Sequence, residues 1–426
     1  MVGALLLMLP ISTKTGYIPF IDALFTATSA TCVTGLIVVD TGTYFTFFGQ
    51  MVILLLIQVG GLGVMTISVA LFHLIGRSIS FKQRMAMQDV FSSSPRGDIL
   101  RLVKSILLFT FAAELIGAVF LFFCWYPQYS WHRAVYLSVF HSVSAFCNAG
   151  FSLFSDSLTA WGDSGFLNLT VCLLIVIGGL GFPVLYDMAA KIRTGRKRRY
   201  SLSVQTKTVL MTTGILIVAG AVFFAFLERN AAMRQGTTLH HVYVSVFQSI
   251  TCRTAGFNTV DISALNDATL ILMLFLMFFG ASPGSCGGGV KTTTLAVIAV
   301  FTFSRMTRKK RVNLFKKSIP DETVTRSTSL ILASLALIGV CVFMMLAANP
   351  GGGRGYFFSC LFETVSAFGT VGLSTGFTQI LGTWGKGWII AMMIVGRVGV
   401  LTFAYIIAGD GMERGVEYSE ENIMIG

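Results

Sequence analysis

Long, uninterrupted apolar runs are the feature that most restricts how this chain can fold. Seven of them exceed the roughly 20 residues that a helix needs to cross ~30 Å of hydrocarbon. They are residues 47–76, 102–125, 166–189, 206–227, 268–304, 326–348 and 386–408. They do not alternate at period two, which disfavours a β-barrel. The sequence predicts an all-α polytopic membrane protein.

Composition agrees with this class. Only 12% of the 426 residues are charged and 54% are hydrophobic, whereas soluble domains carry about 25% charged residues. This excludes a soluble enzyme, a disordered chain and a disulfide-stapled secreted domain. The eight cysteines form no C-x-x-C pair or metal-ligand spacing, so we interpret them as small buried apolar residues. No H-E-x-x-H or G-x-S-x-G motif occurs, so nothing indicates an enzyme.

Basic residues orient the predicted helices. Residues 77–104, 191–207 and 305–326 hold about two thirds of the lysines and arginines, and the positive-inside rule places such loops in the cytoplasm, with the tail 410–426 on the same side. Topology and anionic lipid headgroups thereby account for the formal charge of +12, without nucleic acid. The apolar segment 1–10 is too short to span and lacks the features of a signal peptide, so we expect a first helix without its N-terminal part.

One motif recurs four times in the loops on the other side. Its copies are Phe25–Leu36, Phe140–Phe151, Phe247–Phe257 and Phe362–Leu373. The glycine near each motif's end, at 35, 150, 256 and 372, recurs at intervals of 115, 106 and 116 residues. A second glycine site follows each motif inside the next apolar run, at Gly60–Gly63, Gly178–Gly181, Gly280–Pro283 and Gly396–Gly399.

We therefore predict four repeats around a pseudo-fourfold pore, each with a membrane helix, a short pore helix, a glycine-bearing strand and a second membrane helix. Their boundaries are 1–76, 77–190, 191–305 and 306–409, followed by the tail 410–426. A pore helix of nine or ten residues cannot span the bilayer, and non-helical backbone at that depth must line a water-filled path. Four partially negative helix ends and four sets of carbonyls would form a cation site.

The glycines have two possible roles. A strand whose carbonyls all face one axis needs positive φ, which glycine adopts at little cost. The alternative is close helix packing through small residues. We favour the first role for the four motif glycines and leave both open for the glycine sites inside the membrane runs.

These residues resemble the Trk/Ktr/HKT superfamily of potassium transporters, and most closely its Ktr-type membrane subunit. The likeness lies in Ser366–Gly372, Asn148–Phe151, Arg253–Phe257, the phrase from Gly280 to Lys291, and Gly396–Gly399, and it extends from about residue 5 to the C-terminus. It implies potassium uptake across the cell membrane through a pore enclosed by one monomer. It further implies pairing into a homodimer and a cytoplasmic RCK-type ring subunit, which would bind any nucleotide; this chain needs no cofactor.

The resemblance assigns a potassium filter to backbone carbonyls of four tripeptides. They are Val33, Thr34 and Gly35; Asn148, Ala149 and Gly150; Thr254, Ala255 and Gly256; and Thr370, Val371 and Gly372. In the plant branch, serine in place of the first filter glycine goes with sodium preference, so four glycines favour potassium. The other filter residues differ among repeats, so we expect weak discrimination against sodium. A sodium-selective or ion-coupled transporter of the same fold stays the alternative, with Glu114 as a candidate relay or interhelical hydrogen-bonding partner.

Residues 280–291 predict a gate below this filter. Five glycines and Pro283 fall within 268–304, and glycine costs about 1 and proline about 3 kcal/mol relative to alanine in a helix. The loop must therefore lie in the pore; a kink without gating role is the other possibility. Its predicted gate residues are Gly280, Pro283, Gly284, Gly287, Gly288, Gly289 and Lys291. A phosphate-binding loop is excluded, because Val290 separates Gly289 from Lys291.

Charged residues within the apolar runs complete the predicted site. Arg397 lies in the last run, where an isolated charge is costly. We expect it to oppose cations in the pore and to hold carbonyls of residues 280–289, or to pair with a carboxylate. Glu363 and Arg253 are predicted to form a buried pair that braces the filter.

Overall fold

The computed structural model describes residues 1–63, 99–194, 201–229, 238–309, 311–348 and 355–400, together with residues 353 and 402. These residues are predominantly helical, as predicted. Repeat 1 contains α1 (Val2–Leu7), α2 (Phe20–Thr31), α3 (Thr41–Tyr44) and α4 (Phe47–Leu62). Repeat 2 contains α5 (Ile99–Trp125), α6 (Trp131–Phe146), α7 (Gly165–Leu180) and α8 (Phe182–Thr194).

The second half of the chain comprises the predicted repeats 3 and 4. Repeat 3 contains α9 (Val204–Glu228), α10 (Thr238–Thr251), α11 (Asp267–Phe278) and α12 (Thr292–Met306). Repeat 4 contains the strands β1 (Asn313–Leu314) and β2 (Lys317–Ser318), then α13 (Asp321–Ala347), α14 (Tyr356–Gly369), α15 (Phe377–Ile380) and α16 (Thr383–Val398). Single 3-10 turns lie at Pro10–Ser12, Thr159–Trp161 and Ile262–Ala264.

Three helices in the described ranges are long and apolar enough to cross a membrane. They are Val103–Trp125 within α5, the whole of α9, and α13. Large apolar side chains on them, such as Leu115, Phe226 and Phe343, are 66–78% exposed, as expected of surfaces that face lipid rather than water. The protein is therefore a multi-pass membrane protein.

The second helix of three repeats breaks at a glycine. Its φ is 82° at Gly63, 89° at Gly181 and 95° at Gly399, with ψ near 140° in each case, a combination that is accessible to glycine almost alone. The helices α7 and α8 meet at 98°, so the prediction of one continuous span over 166–189 was wrong. Residues 64–76 of the predicted span 47–76 lie outside the described residues, as do residues 401 and 403–408 of the predicted span 386–408.

The glycine three residues before each break packs against a motif. A Cβ built on Gly60, Gly178 or Gly396 would lie 1.9–2.0 Å from the carbonyl oxygen of Thr31, Phe146 or Phe368, respectively, far inside van der Waals contact. Both roles considered for these glycine sites therefore occur, at different residues. The first glycine of each site lets the neighbouring backbone pack closely, and the last has the positive φ at which the helix ends.

The pore helices are longer than predicted. The helices α2, α6, α10 and α14 contain 12, 16, 14 and 14 residues, because each begins several residues before its motif. At 1.5 Å per residue they measure about 18–24 Å, which is still too short to span ~30 Å. The phenylalanine that begins each motif is 0% exposed in all four (Phe25, Phe140, Phe247 and Phe362). These helices are therefore enclosed by the membrane helices.

One predicted cytoplasmic loop is partly described. The strands β1 and β2 form a hairpin whose turn residues Phe315 and Lys316 have φ of 48° and 64°, as in a type I′ turn. Val312 and Leu314 pack there against Val297 and Val324. Residues 77–98, the basic run Arg196–Arg199 and the tail 410–426 lie outside the described residues.

Polar contacts join neighbouring repeats. Gln58 Nε2 donates to Glu114 Oε1 over 3.0 Å between repeats 1 and 2, so Glu114 makes the interhelical hydrogen bond that was one of its two predicted roles. Lys386 Nζ donates to Asp22 Oδ1 over 2.5 Å between repeats 4 and 1, and both side chains are 14% exposed. This ion pair links the last repeat to the first.

We expect Asp22→Asn or Lys386→Met to destabilise the folded protein by roughly 2 kcal/mol, because each leaves a largely buried charge without its partner. The double variant should recover part of that loss. The measurement is the apparent melting temperature in detergent for the four members of the cycle. The exposed Arg326–Glu322 pair, 2.6 Å apart, is the matched control, and Glu322→Gln should change little. Independent, additive effects of Asp22→Asn and Lys386→Met would contradict the coupling.

Candidate functional site

The four motif ends share one backbone conformation. The residue two before each terminal glycine has positive φ, at 57° for Val33, 59° for Asn148, 74° for Thr254 and 50° for Thr370. The glycines themselves have φ of 92°, 69°, 78° and 90°. Left-handed residues are rare for non-glycine types and costly for valine and threonine. An extended strand points successive carbonyls to opposite sides, whereas left-handed residues at alternate positions turn them towards one side.

The four glycines form a closed ring. A Cβ built on Gly35 would lie 2.5 Å from Ala149 O, and one on Gly150 would lie 2.8 Å from Ala255 O. The series continues with Gly256 and Val371 O at 2.4 Å, and returns to the start with Gly372 and Thr34 O at 2.1 Å. Each glycine therefore lies against the carbonyl that precedes the glycine of the next repeat, and any larger residue would collide with backbone.

This ring offers oxygen ligands to a cation. The carbonyls of Thr34, Ala149, Ala255 and Val371 belong to it, and carbonyl oxygens suit hard cations. The C-terminal, partially negative ends of α2, α6, α10 and α14 lie immediately before the ring residues. Among the described residues no group of three or more His, Cys, Asp or Glu side chains is arranged to hold a metal ion. The oxygen atoms that the ring itself could offer to an ion are the backbone carbonyls named above.

A cavity of about 190 Å³ opens on the other side of the ring from the predicted cytoplasmic loops. All four ring glycines line it. Two carboxylates, those of Asp40 and Asp156, lie on its wall and accept hydrogen bonds from Thr43 and Thr159, respectively. The cavity wall therefore carries polar groups and reaches the ring.

Hydroxyl groups support the ring from behind, and the sequence analysis missed them. Gly35 N donates to Ser29 Oγ and Gly372 N donates to Ser366 Oγ, each over 3.1 Å. Ser144 Oγ and Thr251 Oγ1 donate to the carbonyls of the residues after the other two glycines, over 2.8 and 2.6 Å. A serine or threonine at this register of all four motifs was the available signal.

Residues 279–291 interrupt the second membrane helix of repeat 3, as predicted from their glycines and proline. The helix α11 ends at Phe278 and α12 begins at Thr292. The loop residues Gly284 and Gly289 have φ of 71° and 69°. The loop lies directly below the ring strands: Gly288 N donates to Thr370 Oγ1 over 2.7 Å, and a Cβ on Gly287 would lie 2.2 Å from Thr254 Oγ1.

The loop is hydrogen-bonded to repeats 2 and 4. Phe182 N donates to Gly284 O over 3.0 Å at the break between α7 and α8, and Cys286 N donates to Gly178 O over 3.3 Å. Gly289 N donates to Gly396 O over 3.1 Å. Within the loop's own repeat, Lys291 Nζ donates to Gly287 O over 2.9 Å. Contacts with neighbouring repeats therefore satisfy backbone groups that the broken helix exposes.

Arg397 extends these contacts to repeat 1. Its guanidinium donates to Cys286 O in the loop and to Gly60 O in α4. A planar guanidinium suits such a bridge, because its fixed donors can reach two acceptors at once. Of the two partners that the sequence left open, carbonyls of residues 280–289 or a carboxylate, the structure has the first.

The predicted Glu363–Arg253 pair was wrong. The Glu363 carboxylate accepts from Ser374, Thr375 and Thr378, whereas Arg253 donates to Thr213 Oγ1 over 3.2 Å and to Gly280 O over 3.4 Å. Sequence fixes the depth of both residues in the membrane but not the direction of their side chains about the pore axis. Arg253 braces the start of the loop, and Glu363 braces the strand beyond the ring.

Comparison with known proteins agrees with this architecture. Residues 4–410 match the family described as TrkH, a cation transport protein, and the chain belongs to this family. It is 39% identical to the Ktr system potassium uptake protein B of Vibrio alginolyticus over 426 residues, covering all of this chain and 92% of that protein. It is 36% identical to the potassium/sodium uptake protein NtpJ of Enterococcus hirae over 428 residues, covering all of this chain and 94% of that one.

A solved structure shares the fold. The crystal structure of the potassium transporter TrkH from Vibrio parahaemolyticus superposes with a TM-score of 0.72 at 19% sequence identity. The match covers 92% of this chain and 79% of that one.

The link between the loop and the ring can be tested with Thr370→Val. The variant keeps the shape of the side chain but removes the acceptor for Gly288 N, a loss of about 1 kcal/mol or more. We expect the amides of residues 284–291 to exchange hydrogen several-fold faster, as measured by mass spectrometry in detergent. Thr208→Val is the control, because Thr208 Oγ1 donates within its own helix, to Val204 O. Unchanged exchange in the loop would contradict the link.

Proposed function

We propose that this chain takes up potassium across the cell membrane by channel-like permeation through the ring of carbonyls. The observation that carries the proposal is the closed series of contacts among Gly35, Gly150, Gly256 and Gly372. It brings four left-handed backbone turns to one point within a single chain. A relative with 39% identity is named a potassium uptake protein, which supports the same ion.

The filter works by replacing the water around the ion. Backbone carbonyls take the place of the hydration shell as the ion enters. The filter is formed by the tripeptides ending in the four ring glycines. Because the corresponding filter residues are Val33, Asn148 and two threonines, Thr254 and Thr370, the four sides of the filter are not identical, and we expect weaker rejection of sodium than in a symmetric channel. That one relative is named a potassium/sodium uptake protein fits this expectation.

The second candidate is a sodium-selective or ion-coupled transporter of the same fold. Coupling requires a second ion site, and Glu114 is the candidate relay predicted from the sequence. Its carboxylate accepts hydrogen bonds from Gln58 and Cys147. These two hydrogen bonds give one carboxylate oxygen of Glu114 a structural role, which favours uncoupled permeation.

Residues 280–291 act as the gate, with Arg397 as barrier and latch. The loop crosses below the filter, is hydrogen-bonded to repeats 2 and 4, and is linked to repeat 1 through Arg397. Arg397 places a positive charge beside the loop, where it opposes a cation. Opening requires the loop to exchange these bonds for water or for other backbone partners.

The proposed assembly is a homodimer with a cytoplasmic RCK-type ring subunit, which would hold any nucleotide. The exposed hairpin β1–β2, with Lys316 and Lys317, offers such a partner or anionic lipid headgroups a basic surface on the predicted cytoplasmic side. No cofactor is proposed for this chain.

The filter is tested by potassium uptake into a bacterial strain that lacks its own uptake systems. Wild-type chain, expressed with a cognate ring subunit, should restore uptake. Gly372→Ser should lower it at least tenfold or shift it towards sodium, because a side chain there meets Thr34 O and must adopt φ of 90°. Equal uptake by wild type and Gly372→Ser, at equal amounts of membrane protein, would contradict the filter assignment.

The gate is tested by ion flux into proteoliposomes. Arg397→Ala removes both the charge and the latch, so we expect flux to rise roughly three- to tenfold. Deletion of residues 284–289 should act in the same direction. Arg326→Ala, at an exposed position, is the control. Slower flux through Arg397→Ala at equal protein content would count against the barrier.

A further inference from the structure

The residue that follows the first phenylalanine of each pore motif occupies the same place behind the filter in all four repeats. These residues are Thr26, His141, Gln248 and Glu363. Each is at most 1% exposed, although their chemistry ranges from a hydroxyl to a carboxylate. Buried polar groups require hydrogen-bond partners, so the partners of these four side chains indicate what each one does.

In repeat 4 the partners lie just beyond the filter glycine. Glu363 Oε1 accepts from Ser374 Oγ over 2.5 Å and from Thr375 N over 3.2 Å. Glu363 Oε2 accepts from Thr378 Oγ1 over 2.6 Å. Ser374 is two residues after Gly372 and Thr375 is three. The carboxylate thus holds the strand that leaves the filter, and hydrogen bonds to a charged acceptor are the strong ones.

Repeats 2 and 3 make weaker versions of the same contact. His141 Nδ1 bonds Leu137 O over 2.8 Å, so it carries the proton, and Nε2 accepts from Ser152 Oγ over 3.1 Å and from Leu153 N over 3.4 Å. Gln248 Nε2 donates to Thr259 Oγ1 over 3.3 Å. Ser152 and Thr259 are two and three residues after their glycines, as in repeat 4.

Repeat 1 differs. Thr26 Oγ1 has no hydrogen-bond partner in the described part of the chain. Two residues after Gly35 stands Ile37, which offers no polar side chain. The threonine is also too short to reach the strand as histidine, glutamine and glutamate do. The outer strand of repeat 1 is therefore held without this tether.

We propose that Glu363 is a positioning residue that sets ion selectivity by fixing the strand beyond the filter. His141 and Gln248 make the same contribution more weakly in repeats 2 and 3. The backbone around Gly372 is thereby held on both sides. The pore helix α14 fixes the residues before Gly372, and the Glu363 carboxylate fixes Ser374 and Thr375 after it. Carbonyls that cannot move inward around a smaller ion favour the larger one. Repeat 4 supplies the rigid side of the filter and repeat 1 the compliant side. The inference rests on the proposed function, since it assigns the selectivity of that same pore.

The test is the potassium-to-sodium permeability ratio of the full chain in proteoliposomes. Glu363→Leu removes the tether at similar volume and should lower the ratio roughly fivefold, because the strand beyond the filter loses its hydrogen bonds to a charged acceptor. Glu363→Gln should keep a ratio near that of wild type, because its amide can still accept from Ser374 and Thr375 and donate to Thr378. Ser374→Ala and Thr378→Val should each lower the ratio in the same direction as Glu363→Leu.

Glu228 provides a matched control. It is another fully buried carboxylate, and it accepts from Asn266 N over 3.0 Å and from Thr269 Oγ1 over 2.5 Å, away from the motifs. Glu228→Leu should lower the amount of folded protein without changing the ratio. Should Glu363→Leu fail to fold, the ratios of Ser374→Ala and Thr378→Val decide.

Three results would overturn the proposal. One is a ratio unchanged in Glu363→Leu or, where that variant does not fold, in both partner variants. Another is Glu363→Gln behaving like Glu363→Leu, which would assign the effect to charge. The third is Glu228→Leu shifting the ratio equally. Wild-type flux together with a changed ratio in Gly372→Ser shows that such a failure concerns the tether alone. A wild-type chain that conducts neither ion would overturn the proposed function as well.

Discussion

Backbone packed directly against backbone is the constraint on which the rest of this structure depends. The four ring glycines leave no room for a Cβ between neighbouring repeats, since each would meet a carbonyl oxygen at 2.1–2.8 Å. The glycines of the second membrane helices leave equally little room beside the ends of the pore helices. Both sets lie at membrane depth, where unsatisfied backbone groups are expensive. The approach is therefore close enough for carbonyls to serve as ion ligands and for loops to bond one another.

The close packing of backbone against backbone explains why the second membrane helix of repeat 3 can be interrupted at residues 279–291. A loop of a dozen residues would expose too many backbone groups if it faced lipid. Here Gly178 O, Gly284 O and Gly396 O take part in hydrogen bonds across repeat boundaries, and Arg397 bonds carbonyls on either side. The same bonds that make the loop tolerable also tie its position to all four repeats. A conformational change at one repeat would therefore alter the loop's bonding, which is what a gate requires.

Sequence reasoning reached the backbone features of this site more securely than the side-chain features. The glycines at 35, 150, 256 and 372 were identifiable because positive φ restricts residue type strongly, and the break at 280–291 because glycine and proline are poor in helices. Gly181 was harder, since the glycines of the site Gly178–Gly181 in an apolar run fit either a close helix contact or a break. The predicted Glu363–Arg253 pair was wrong because hydrophobic periodicity indicates the depth of a residue in the membrane but not the direction of its side chain about the central axis. The hydroxyls Ser29 and Ser366 had a signal in the motif alignment, but a buried serine has many possible partners.

A pore closed by one chain need not treat its four sides alike. In a channel of identical subunits, any residue that supports the filter appears four times, and so does any cost it brings. Here the four residues behind the strands of the proposed filter differ. They are the Glu363 carboxylate, the neutral His141, the Gln248 amide, and Thr26, whose hydroxyl has no hydrogen-bond partner among the described residues. Four carboxylates so near one ion path would repel each other and bind a cation too tightly to release it, whereas one supplies rigidity with little of either cost. The arginine is likewise single: the positions of the other repeats that correspond to Arg397 hold Gly61 in repeat 1, Gly179 in repeat 2 and Ala281 in repeat 3. In the proposed pore, internal repetition thus accounts for the shared geometry of the four sides, and departures from repetition account for their different hydrogen bonding.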